Sequence, residues 1–152
     1  MSAPERLALA RAMYDAFARA DMNAVLEHID AGIEVHDRPE TQMKDAPGSG
    51  VYRGYEEMFE GLLGNFSAAF EDLRFEPRKF FDTGEKMLVA IRLTAQGKES
   101  HAPVEREIVH VWTYNEDLKA VRLDVFDDWA EALAAAGVDD RPENAETGDK
   151  LA

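Results

Sequence analysis

The sequence predicts an α+β domain, with its helices first and a run of long antiparallel strands after them. Leu7, Ala10, Tyr14 and Phe17 recur at helical spacing near the start of the chain. From Val104 to Trp129 the pattern changes to alternation: V-E-R-E-I-V-H-V-W-T-Y, a polar turn N-E-D, then L-K-A-V-R-L-D-V-F-D-D-W. Two alternating runs joined by a short polar turn make an antiparallel hairpin. Both faces of both runs carry apolar residues, so both faces of the sheet are expected to be at least partly covered.

The bulk numbers bound the rest. A chain of 152 residues is long enough for one domain with a real core. Its net charge of −14 argues against nucleic acid and against an anionic membrane surface, both of which need clustered Lys and Arg. There is no cysteine, which excludes disulfides, thiolate nucleophiles and cysteine-ligated metals. The first residues, M-S-A-P-E-R-L-A-L-A-R, lack the apolar core of a signal peptide. No run approaches the roughly 20 apolar residues of a membrane span. A cytoplasmic protein is expected.

Residues 4–20 form the first helix, with Pro4 suited to its first turn. Asp21 caps a second helix over Met22–Ile29, with Val25, Leu26 and Ile29 facing inward and Gly32 ending it. On the strand that follows, Ile33, Val35 and Asp37 share one face and Glu34 and His36 the other; Arg38-Pro39 stops it. Residues 38–53 have no apolar period and read as a long loop. A third helix runs from Tyr55 to about Phe70, on the stripe Met58, Leu62, Phe66. Gly61 and Gly64 each weaken it by roughly 1 kcal/mol if exposed, so tertiary packing must hold it. Strands are expected over 72–81 and 86–96, joined by the turn T-G-E, and a polar loop over 97–102 leads to the hairpin. Trp129–Ala136 is a short helix with Gly137 at its C′ position. Residues 139–152 have nothing to bury and read as a disordered acidic tail, leaving one domain over 1–138.

The order helix, helix, short strand, helix, four long strands resembles the nuclear transport factor 2-like (ketosteroid isomerase-like) superfamily, and the SnoaL-like family within it. The stretches that carry the resemblance are A-R-A-D-M-N-A-V-L-E-H-I, G-V-Y-R-G-Y-E-E-M-F-E-G-L-L, F-D-T-G-E-K-M-L-V-A-I-R-L and R-L-D-V-F-D-D-W-A-E-A-L-A-A-A-G, within residues 5–138. The resemblance implies a cone: a curved, mixed, mainly antiparallel sheet wrapped around three N-terminal helices, with an internal pocket. It also implies a homodimer packed through the sheet. Against the isomerases of the family, Asp37 falls on the catalytic base, His110 on the protonated-acid position and Met13, not Tyr14, on the tyrosine position. Against the limonene-epoxide hydrolases, Arg92 and Asp124 fit two of three charged positions, and Thr94 stands at the third.

The candidate site follows. Arg92 shares a face with Leu88 and Ala90, which the family register points into the cone. It would polarise a substrate oxygen or close an ion pair with Asp37, Asp124 or Asp127, because an unpaired buried charge is very costly. His110, between Ile108 and Trp112, has an ordinary pKa of about 6.5 and suits acid–base work near neutrality, or else is a core histidine bonded to a carboxylate. Asp37 is a base if burial raises its pKa, or a turn residue. Asp124 and Asp127 lie on opposite faces, so only one enters the pocket. Tyr14, Phe17, Phe59, Leu63 and Trp112 are expected to be pocket wall that binds substrate. There is no H-x-H or H-E-x-x-H spacing, no Gly-rich phosphate loop and no G-x-S-x-G, so neither a metal nor another cofactor is expected.

The function these residues point to is acid–base chemistry of the isomerase, cyclase, dehydratase or epoxide-hydrolase type on a small hydrophobic, oxygen-bearing molecule. The other reading is a ligand-binding or scaffold dimer of the same fold without chemistry. Two structural expectations go with these readings. Asp37, Arg92 and His110 should form one charged cluster inside an apolar cavity. Glu107, Val109, Val111 and Thr113 should form an exposed strip through which two copies pair.

Overall fold

The computed structural model describes residues 3–37, 50–60, 70–137 and 146–147. Helix α1 spans Ala3–Ala18 and buries Ala10, Met13, Tyr14 and Ala16. The small alanines on that stripe let the helix lie close to the sheet, and Arg6 ties it to Asp82, far along the chain, at 2.7 Å. Asp21 caps α2 (Met22–Leu26), accepting a hydrogen bond from the Ala24 backbone N–H at 3.2 Å.

The second helix is shorter than its sequence suggests, and the strand after it is longer. Strand β1 runs from Ile29 to Asp37. Ile29 opens the strand, and Gly32 lies within it, where the register shifts between Ile29 and Glu34. Part of the expected loop is also ordered into the sheet: Gly50–Arg53 is strand β2, antiparallel to β1. Residues 38–49 lie outside the described residues. Gly54, at φ +79°, takes a backbone conformation that side chains resist, and this lets β2 turn directly into α3 (Gly54–Glu57). The Tyr55 hydroxyl then donates to the Ile29 carbonyl at 2.7 Å, pinning α3 to β1. A wider helical turn carries the chain to Glu60, and the rest of the expected third helix lies outside the described residues.

The long strands match the alternation closely. They are β3 (Phe70–Asp82), β4 (Lys86–Gly97), β5 (Pro103–Tyr114) and β6 (Ala120–Phe126), followed by helix α4 (Trp129–Ala135). Gly84 at φ +98° makes the β3–β4 turn, and Gly137 at φ +75° stands just past α4. The curved mixed sheet has the order β2-β1-β6-β5-β4-β3-β7, with β1 parallel to β6 and the other pairs antiparallel. Two residues of the expected disordered tail, Glu146–Thr147, form β7 against β3, so that expectation does not hold for them. The remaining residues of that tail lie outside the described residues.

Two cores follow from the two sheet faces. On the helix-facing side, Ile33, Val35, Phe80, Met87, Val89, Ile91, Ile108, Trp112, Leu123 and Val125 pack with α1 and α2. On the opposite side, Phe81, Leu88, Val109, Val111 and Phe126 pack under Ala132 and Leu133 of α4. This second core corrects the expectation of an exposed strip. Val109 and Val111 keep only 4 % and 2 % exposure because the chain's own last helix covers them. They therefore offer no apolar surface to a second copy.

Candidate functional site

Strand β5 places His110 in the middle of the sheet, opposite Val89 of β4 and Val125 of β6. Its neighbours Ile108 and Trp112 belong to the helix-facing core, so the strand period turns the imidazole toward α1, as expected. Tyr14 comes down from α1 to meet it. The Tyr14 hydroxyl lies 2.8 Å from His110 Nδ1, and the Trp112 indole N–H donates to the same hydroxyl at 2.7 Å. Aromatic rings close the surroundings. Phe75 has its centroid 6.0 Å from the imidazole, and Phe17 meets Phe75 edge-on at 5.3 Å.

The electrostatics follow from this dryness. Burial pushes the His110 pKa down to about 3, because an imidazolium among aromatic rings has lost its hydration. His110 is therefore neutral throughout the physiological range. The same burial holds the Tyr14 phenol well above its ordinary value, so it keeps its proton. His110 Nε2 has no hydrogen-bond partner among the described residues, while the residue keeps 8 % exposure.

The other candidates fall elsewhere. Arg92 is on the opposite face of the sheet, where Nη2 meets Glu105 at 2.7 Å. Its neighbours Ile91 and Leu93 are the residues that face the helices, and Leu88, which shares its parity, lies under α4. The hydrogen bond it donates to Glu105 holds its pKa above the ordinary arginine value. Asp124 is also on that opposite face, held by both Nε and Nη2 of Arg122 at 2.9 Å. Asp127 lies beyond the end of β6, exposed, with Arg106 4.0 Å away. The expected cluster of Asp37, Arg92 and His110 does not form, because Arg92 and His110 are separated by the sheet.

Asp37 ends β1 in register with Val125, and Val125 in turn pairs with His110. Asp37, Val125 and His110 are thus successive positions in one row across three strands. The Asp37 side chain lies outside the described residues, as does Leu63. Of the expected wall, Phe17 and Phe59 pack half-buried against the helix-facing core, and Trp112 is within it. Tyr14, expected as wall, is the hydrogen-bond partner of His110. Among the described residues no group of three or more His, Asp or Glu side chains gathers to hold a metal ion. Among them, too, no helix is long and apolar enough to cross a membrane.

The curved mixed sheet with α1 and α2 packed on one face matches the fold of the nuclear transport factor 2-like, ketosteroid isomerase-like superfamily. Within it the SnoaL-like domain matches residues 10–123, and the chain belongs to the SnoaL-like family. Three solved structures illustrate the likeness. A nuclear transport factor 2-like protein of unknown function from Burkholderia pseudomallei K96243 is 22% identical, with a TM-score of 0.71, over 88% of this chain and 97% of that one. TerC, crystallised with polyporic acid, is 20% identical, with a TM-score of 0.69, over 88% and 96%. SalBIII, an epoxide hydrolase/cyclase-like enzyme in pyran ring formation in the polyether salinomycin, is 18% identical, with a TM-score of 0.64, over 84% and 93%. At these identities the likeness is one of fold. None of the curated proteins matches the chain.

Proposed function

We propose that this SnoaL-like protein binds a small hydrophobic, oxygen-bearing molecule against the Tyr14–His110–Trp112 group and performs isomerase-, cyclase- or hydrolase-type chemistry on it. The observation that carries this reading is a neutral histidine, one nitrogen engaged by Tyr14, in an aromatic surround. A neutral imidazole that stays neutral down to about pH 3 is a poor general base at pH 7. It is well suited to hold an oxygen on which charge develops, because a pre-oriented dipole in a dry site costs no reorganisation. The role this gives His110 differs from the acid–base one its ordinary pKa suggests.

Asp37 is then the group assigned to move the proton. Its position in the row Asp37, Val125, His110 supports this. Two strand spacings put the two backbones roughly 10 Å apart. The fold neighbour SalBIII, described as epoxide hydrolase/cyclase-like, is consistent with chemistry at such a site. No cofactor is needed for it.

A second reading, a binder without chemistry, is favoured by one observation. Arg92 and Asp124, two of the expected charged partners, lie on the other face. Binding and catalysis separate experimentally. Polyporic acid, the molecule crystallised with TerC, and acetophenone serve as probes, followed by the His110 ring signals in NMR. Perturbation of those signals, abolished in His110→Phe, supports the site. No response to either probe would sink it. Proton–deuterium exchange at the acetophenone methyl, lost in Asp37→Asn, supports proton transfer; binding without exchange favours the second reading.

A further inference from the structure

The three polar groups of the site form a chain of hydrogen bonds with a fixed direction. An indole N–H can only donate, so Trp112 gives its proton to the Tyr14 oxygen. The Tyr14 O–H then needs an acceptor of its own, and His110 Nδ1 at 2.8 Å is the one within reach among the described residues. If Nδ1 carried the imidazole proton, the Tyr14 oxygen would receive two donors. Its own buried proton would then be left without a partner. Orphaning a buried hydroxyl disfavours that arrangement by roughly tenfold to a hundredfold.

We propose that Trp112 and Tyr14 are positioning residues that lock His110 in the Nε2-protonated tautomer, so that the site presents a donor and selects ligands by an oxygen acceptor such as a carbonyl. The chain runs Trp112 N–H to Tyr14 oxygen, Tyr14 O–H to His110 Nδ1, and His110 Nε2–H to the ligand. Each link polarises the next, so the last donor is stronger than an isolated imidazole. Burial reinforces the direction: it keeps Tyr14 protonated and His110 uncharged. A ligand atom that can only donate, such as an ammonium, finds no acceptor at this histidine. The selectivity half of the proposal rests on the oxygen-binding reading above; the tautomer half does not.

Proton–nitrogen correlation NMR of the full chain at neutral pH reads the tautomer directly. Nδ1 should give the signal of a bare ring nitrogen and Nε2 that of a protonated one. Tyr14→Phe, which removes the Nδ1 partner, should shift the pattern toward a mixture of tautomers. A proton on Nδ1 in the unsubstituted protein overturns the proposal, whether or not any variant folds. So does an unchanged pattern in a folded Tyr14→Phe protein. Acetophenone and ethylbenzene, matched in shape but differing in the carbonyl, then probe selectivity. Acetophenone should bind roughly threefold to tenfold tighter, the value of one net hydrogen bond, with its largest effect on Nε2. Equal affinities with the Nε2–H pattern intact would leave the relay standing and sink the oxygen-binding reading instead.

Discussion

The two faces of the sheet handle polar groups in opposite ways. On the helix-facing side, Trp112, Tyr14 and His110 satisfy one another as neutral groups among aromatic rings, apart from the ion pair Arg6–Asp82 that ties α1 to the end of β3. On the other side charges pair, Arg92–Glu105 at the surface and Arg122–Asp124 with the aspartate side chain 14% exposed. That second face also leaves Arg92 Nε, Thr113 Oγ1 and Trp129 Nε1 sealed without a partner among the described residues. The difference teaches where specificity is built. An exposed ion pair is screened by water and contributes little, whereas a buried neutral chain has one arrangement that satisfies every proton, and any other costs it a hydrogen bond.

The comparison breaks first at the packing that keeps the inner face dry. Phe80 is 1 % exposed and meets the Tyr14 ring edge-on at 6.1 Å. Phe80→Ala should cost about 3–5 kcal/mol in chemical denaturation, as large core truncations do, and should restore water to Tyr14. A loss below 1 kcal/mol would mean that the inner face is not the tightly packed one. The next effect is a pH dependence. The unfolded chain binds a proton on His110 near pH 6.5, and the folded chain only near pH 3, so the unfolded state holds more protons between those values. This contribution to stability is complete above about pH 6.5. It is lost at roughly 1.4 kcal/mol per pH unit as the pH falls toward 3. His110→Gln should remove that slope; an identical slope in the variant would assign it to other groups. Smaller again is Tyr14→Phe, which orphans His110 Nδ1 and Trp112 Nε1 together. A cost of about 1–3 kcal/mol is expected from urea melts, and stability equal to the parent's would show that neither atom depends on the hydroxyl.

The sequence made some of this legible and hid the rest for physical reasons. Strands β3 to β6 and the last helix could be read because alternation and turn residues are local signals. The inward face of β5 could be read too, since Ile108, His110 and Trp112 stand against the charged Glu105 and Glu107. Strand β4 gave no such contrast. Met87, Val89, Ile91 and Leu93 on one face and Leu88 and Ala90 on the other are all apolar, because α4 buries part of the second face. Periodicity alone cannot orient such a strand, and the family register turned Arg92 the wrong way. The start of β1 was obscured by Gly32, which reads as a helix stop and instead lies in a strand irregularity. The Tyr14–His110 contact spans 96 residues and depends on how α1 rolls on the sheet. Still, a signal existed. Tyr14 lies on the apolar stripe of its helix and His110 on the apolar face of its strand, and two buried polar groups each in need of a partner are candidates for one another.

The smallest expected effect is the one that separates the two faces most cleanly. Had Arg92 stood inside the cone with Asp37 and His110, removing its charge would have orphaned a buried carboxylate, at about 3–5 kcal/mol. It stands instead on the outer face with Glu105, and its side chain and that of Glu105 are 37% and 58% exposed. Water reaches both partners, and Glu105 stays solvated when the guanidinium is gone. Arg92→Met should therefore leave the melting temperature nearly unchanged at physiological salt, and the His110 ring signals should not move. Added salt should change parent and variant alike, because little pairing energy remains to be screened. A drop of many degrees, or a shifted His110 signal, would mean that the two faces communicate through β4, and the separation of the Arg92–Glu105 pair from the neutral Tyr14–His110–Trp112 group would fail.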